Sequence, residues 1–104
     1  MHGYYVVLIT VPVEKAKELA EHIINNKLGA CVNMVPEVDS LYWWKGNVER
    51  DKESLLVVKT SARKFKDLLE GVKSVHPYTV PEIIALPIVA GNENYINWID
   101  DSLG

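Results

Sequence analysis

The chain lacks most of what marks a catalytic, membrane or nucleic-acid-binding protein. Of its 104 residues only Cys31 is a cysteine, so no disulfide closes within the chain and a reducing cytoplasm is the expected setting. No basic block occurs: 11 Lys and Arg stand against 14 Asp and Glu, a net charge of -3, and no nucleic acid partner is expected. No apolar run approaches the roughly 18 residues a membrane span needs, so no membrane partner is expected either. The N-terminus lacks the basic-then-apolar pattern of a signal peptide. There is no Gly-rich phosphate loop, no nucleophile elbow, no paired-cysteine motif and no helical His pair. Repeats, linkers and low-complexity stretches are absent too.

What is present is a globular composition, 48% hydrophobic and 24% charged, which excludes disorder. The whole chain, 1–104, reads as a single domain. Tyr4 to Ile9 is an apolar run rich in β-branched and aromatic residues, the pattern of a strand buried on both faces. Thr10 and Pro12 read as a cap and a first-turn proline for a helix over 13–26, whose apolar stripe is Val13, Ala16, Leu19, Ala20, Ile23 and Ile24. Asn25, Asn26 and Gly29 stop it. A second strand starts at Gly29, passes Pro36 and reaches Trp43-Trp44, turning at Lys45-Gly46-Asn47 with Gly46-Asn47 supplying the turn conformations. The return strand runs from Val48 to Thr60, and its charged stretch, Glu49 to Glu53, is expected to be at least partly solvated. Thr60 or Ser61 is expected to cap a second helix striped by Ala62, Phe65, Leu68, Leu69 and Val72, ended by His76-Pro77. A last strand covers 82–89, with Pro87 demanding an edge or a bulge. A terminal helix starts at Gly91-Asn92, with Tyr95, Ile96, Trp98, Ile99 and Leu103 on its apolar side.

The order β-α-β-β-α-β plus a C-terminal helix is the split β-α-β pattern of an α+β, ferredoxin-like fold with a long β2-β3 hairpin. Such a sheet carries two helices on one face. Strands apolar at both parities require a cover for the other: in part the final helix, for the rest a neighbouring subunit.

Each candidate site residue has two readings. Cys31 is a small buried hydrophobe or a soft Cu(I) ligand. His76 is a helix-end imidazole or a metal ligand on a loop held between Pro77 and Pro81. His22 lies on a charged helix face and is read as solvated. His2 forms, with the terminal amine, the generic Cu(II) chelate of any such peptide. Glu53, Lys59, Tyr78 and Glu82 either form a pocket in which a carboxylate meets Lys59, or make ordinary ion pairs. Tyr42, Trp43 and Trp44 read as a subunit contact.

Five blocks then resemble one family: Gly29-Ala30-Cys31-Val32-Asn33, Ser40 to Gly46, Val58-Lys59-Thr60, His76 to Ile83 and Tyr95 to Trp98 look like the divalent-cation tolerance protein CutA family, in order and over essentially the whole chain. The resemblance implies a cytoplasmic, non-enzymatic homotrimer with hairpins pairing between subunits, linked to tolerance of copper and other divalent metals. It also implies an architecture similar to the PII signalling trimers, hence an alternative role as a small-molecule sensor or scaffold whose inter-subunit cleft takes a small anion or a partner protein. The family's cleft maps to Cys31, Lys59, His76, Tyr78 and Glu82. Of the copper ligands proposed in some members, a first-strand cysteine and two adjacent histidines, this chain has Ile9, Val75 and His76. His76 is therefore the one expected ligand, with Cu2+ or another divalent cation as the implied cofactor.

Overall fold

The structure, a computed structural model, describes residues 3–104. The His2 chelate expected from the sequence lies outside the described residues. Four strands form one antiparallel sheet in the order β2-β3-β1-β4: β1 is Tyr4–Pro12, β2 Cys31–Trp44, β3 Asn47–Ser61 and β4 Ile83–Pro87. Three helices join them, α1 (Ala16–Asn25), α2 (Phe65–Lys73) and α3 (Glu93–Leu103), with 3-10 turns at Val13–Lys15 and Ala62–Lys64. This is the expected α+β, ferredoxin-like arrangement with a terminal helix.

Alternation along β1 and β3 sets the layers. Val7, Ile9 and Val11 of β1 and Leu56 and Val58 of β3 point to one face, where they are fully buried against Leu19 and Ile23 of α1 and Leu68 and Val72 of α2. Ile24 falls outside this core and is exposed. The other face carries Leu8, Leu55 and Val57, half-buried, and Val35, Ile84 and Leu86, exposed. Helix α3 covers one end of that face. It buries Ile99 and Leu103, accepts a hydrogen bond from the Tyr4 hydroxyl on Asp100, and takes one from Lys27 Nζ on the Ser102 carbonyl at 3.1 Å. Tyr95 and Trp98, expected on the buried side, stack on each other and stay exposed. Asn92 caps α3, its side chain accepting from the Asn94 N–H at 3.0 Å.

Three local expectations are corrected. Thr10 is not a cap: β1 pairs with β3 as far as Pro12↔Glu53, so strand pairing outcompetes an earlier helix start, and α1 begins only at Ala16. Neither Thr60 nor Ser61 caps α2. Thr60 Oγ1 donates to the Leu28 carbonyl at 2.8 Å, and buried Ser61 Oγ has no partner among the described residues. The hairpin turn is Lys45-Gly46, both at positive φ (50° and 81°), as a two-residue turn matching strand twist requires. Asn47 already belongs to β3, opposite Trp44. The charged stretch of β3 is partly solvated as expected: Glu49 to Lys52 are exposed and Glu53 is buried.

Pro87 sits on edge strand β4, as its missing N–H demands. A register shift between Val35 and Val38 absorbs Pro36 as a bulge, pinned by Ser54 Oγ donating to the Pro36 carbonyl at 2.7 Å.

Candidate functional site: an acidic, aromatic groove

Where the hairpin leaves the body of the sheet, the α2–β4 loop folds back against it and encloses a groove of about 690 Å³. Its walls include Thr10, Tyr42, Trp44, Glu53, Tyr78 and Glu82. The loop is held by His76. This ring is 8% exposed and both nitrogens are engaged. Nε2 donates to the Thr10 carbonyl at 2.9 Å, and Nδ1 accepts from the Tyr78 N–H at 3.1 Å. A carbonyl can only accept, so the neutral tautomer with hydrogen on Nε2 is the one that satisfies both. No lone pair is left for a metal. His76 does not fit the expected role of ligand; it fastens the loop to β1. Among the described residues, no three His, Cys, Asp or Glu side chains are grouped to hold an ion.

Fixing the loop places the Tyr78 hydroxyl 2.9 Å from Glu53 Oε2, to which it donates. Glu53 is 5% exposed and no ion pair reaches it among the described residues. Burial first, then this hydrogen bond and the charges of Glu53 and Asp51, raise the Tyr78 phenol well above its ordinary value. Tyr42 donates to Asp51 and is pushed up to about 12, chiefly by that bond. The surroundings disfavour further negative charge. By contrast Lys52, bonded to Asp39 at 3.2 Å and Glu37 at 3.4 Å, has its ammonium held above the usual lysine range by those carboxylates.

A phenol whose folded pKa is raised stabilises the fold fully below the unfolded value of about 10. That contribution disappears as pH climbs from there through the folded value. Stability should therefore fall with rising pH in the alkaline range, Lys52 adding to the same slope. Tyr78→Phe should flatten the fall, read by urea unfolding at a series of alkaline pH values. An unchanged slope would contradict the Tyr78–Glu53 geometry.

The expected cleft residues do not converge within one chain. Tyr78 and Glu82 line the groove. Cys31 and Lys59 face each other in register at the far end of the hairpin, beneath α3. Lys59 and Glu53 are six residues apart on β3, about 20 Å. No carboxylate meets Lys59; its ammonium donates to the Asn33 amide oxygen. Cys31 is half-buried, its thiol 3.8 Å from the same oxygen. Burial and the neighbouring Cys31 raise the Tyr95 phenol. Tyr42, Trp43 and Trp44 occupy the outer hairpin and are exposed, Trp43 at 74%. His22 is half-buried on α1, its Nδ1 3.3 Å from Asn26 Nδ2. Sequence reasoning undervalued Glu53. Its parity was the available signal, since alternation puts it on the same face as apolar Leu55 and Val57 rather than in solvent.

Fold and groove together define a class: a ferredoxin-like α+β protein with a ligand-sized, acid- and aromatic-lined groove at the base of a long hairpin. Residues 5–102 match the family model CutA1 divalent ion tolerance protein. The divalent-cation tolerance protein CutA of Thermus thermophilus is 51% identical over 100 residues, covering 95% of this chain and 97% of that one. The solved structure of the protein from that organism has a TM-score of 0.93 and covers 97% of this chain and 99% of its own at 50% identity. The crystal structure of CutA1 from Oryza sativa also gives 0.93, at 50% identity over 96% of this chain and 93% of that one. The Archaeoglobus fulgidus CutA is 38% identical over 104 residues, 99% of each chain. The chain belongs to the CutA1 divalent ion tolerance family. It spans about half the length of the plant and animal relatives, between 51% and 57%. The family is named for tolerance of divalent ions and not for a reaction. No helix among the described residues is long and apolar enough to cross a membrane.

Proposed function

We propose that this chain works as a non-enzymatic homotrimer in tolerance of divalent cations, copper among them, and binds those cations weakly. The observation that carries the reading is the surface one chain leaves uncovered: the apolar half of the second sheet face around Ile84 and Leu86, and the exposed hairpin residues Tyr42, Trp43 and Trp44. Exposed apolar patches of this kind mark interaction surfaces. Edge strand β2 is fourteen residues long and paired on its β3 side alone, a length that suits pairing between subunits. The lone Cys31 agrees with a reducing, cytoplasmic setting.

Weak rather than tight cation binding follows from His76, whose nitrogens are both committed. Calorimetric titration of Cu(II) tests it on three proteins: the native chain, His76→Ala, and a form extended at the N-terminus to disable the His2 chelate. Binding should survive His76→Ala, and weak binding should remain in the extended form. Binding abolished by the extension alone would leave only the His2 chelate and contradict the reading.

The groove favours a second reading, a small-molecule-sensing trimer. A small anion suits it poorly, because Asp39, Glu53 and Glu82 line the groove and no Lys, Arg or His among the described residues does.

A further inference from the structure

The sheet face away from α1 and α2 is charged at both ends and apolar between them. Alternation along β3 puts Glu49, Asp51, Glu53, Leu55, Val57 and Lys59 on that face. At the hairpin end Glu53 is almost wholly buried, with one oxygen taken by the Tyr78 hydroxyl and no cation paired to it among the described residues. Arg50 and Lys52 have the opposite parity and stand on the other side of the hairpin, where Asp39 and Glu37 hold Lys52. At the far end Lys59 is the only Lys or Arg of the four strands on this face. It is half-buried, and its ammonium donates to the neutral Asn33 amide oxygen; no carboxylate of the described residues pairs with it.

Burying a carboxylate without a cation is costly, and so is drawing an ammonium partly out of water without an anion. The two charges would offset each other, but one chain holds them about 20 Å apart on a single strand. A second copy can bring them together. In a cyclic assembly the contact is heterologous: each chain carries two different patches, and one meets the other on the next chain. The acidic end and the Lys59 end of this face are two such patches, of opposite charge, joined by the apolar surface of Leu55, Val57 and Ile84. The groove beside Glu53, about 690 Å³, has room for a long side chain.

We propose that Lys59 of each subunit enters the groove of the next and pairs with Glu53 there. The pair fixes which end of one face meets which end of its neighbour. This inference rests on the homotrimer proposed above and adds to it an ion pair that only the assembly completes.

A double-mutant cycle on the full chain tests it with Lys59→Met and Glu53→Gln, which retains an oxygen to accept from Tyr78. Light scattering reads the protein concentration at which half the chains are assembled, at one urea concentration common to all variants, and circular dichroism checks the fold. Each single substitution should raise that concentration about tenfold, and the double variant no further than either single. Residues 20 Å apart in one chain ordinarily contribute independently, so coupling between them arises only across subunits. Glu53→Asp, which keeps the charge but shortens its reach, takes the place of Glu53→Gln in the cycle should that variant fail to fold. A native trimer in which the two losses multiply to about a hundredfold, or in which neither substitution weakens assembly, would overturn the pairing and leave the trimer standing. Coupling of Glu53→Gln to Arg50→Met in place of Lys59→Met would overturn it too. A single-chain mass for the native protein would defeat the homotrimer itself.

Discussion

Ile84→Asp combined with Leu86→Asp should convert the proposed homotrimer into folded monomers. Both side chains stand on β4, on the sheet face away from α1 and α2, half exposed in one chain (50% and 48%). Their neighbours across β1 are Leu8 and Val6. Within the monomer two carboxylates there remain hydrated and cost little. Inside a subunit contact each loses its water without gaining a cation, at about 2 kcal/mol or more apiece, repeated in every subunit. Light scattering should report the monomer mass while circular dichroism keeps the native spectrum. Ile24→Asp is the matched control: it is equally apolar and exposed but lies on α1, on the opposite side of the sheet, so assembly should persist. An assembly indifferent to the β4 pair would mean that this face is not the contact.

Gly29→Ala should cost about 2 kcal/mol by overpacking. The chain leaves α1 through Lys27 at φ 58° and turns sharply into β2, bringing Gly29 against the core. A Cβ there would sit 2.6 Å from Val58 Cγ1 and 3.0 Å from Ile23 Cγ2. Both neighbours are fully buried, and the valine is stiff at χ1, so neither yields cheaply. Gly71→Ala on α2 makes the contrast. Its Cβ would meet Leu28 Cδ1 at 2.7 Å, the far end of a flexible side chain, and alanine recovers about 1 kcal/mol of helix propensity. Urea unfolding at fixed protein concentration should therefore show Gly29→Ala clearly destabilised and Gly71→Ala near neutral. The reverse order would contradict the packing of this turn.

The α1–β2 turn also shows where sequence reading stops. The strands and helices are legible because their periods differ: both-parity apolar runs for β1 and β4, three-four spacing for α1 and α2. Pro87 announces an edge and receives one. The caps are not legible, because Thr10 and Thr60 satisfy other demands. Thr10 pairs in β1 and gives its carbonyl to His76, and Thr60 bonds Leu28 across the turn. Those partners are distant in sequence and leave no local signal.

The site is half legible. Tyr78 and Glu82 stand out in the sequence and do line the groove. Cys31 and Lys59 are grouped with them by chemistry but lie about 20 Å along the hairpin, because position on a strand, and not residue type, sets distance. His76 reads as helix-end or metal-binding. Neither reading foresees that both its nitrogens are spent on Thr10 and Tyr78. The charged stretch is partly solvated, as expected, and its one buried member, Glu53, lines the groove.

The proposed homotrimer would give Ile84, Leu86 and Trp43 the cover that one chain leaves them without. Multi-angle light scattering of the native protein over a dilution series measures it directly. The expected mass is three times that of the chain, unchanged on dilution into the low micromolar range. A single-chain mass across the series would contradict it, and the apolar face would then need another explanation.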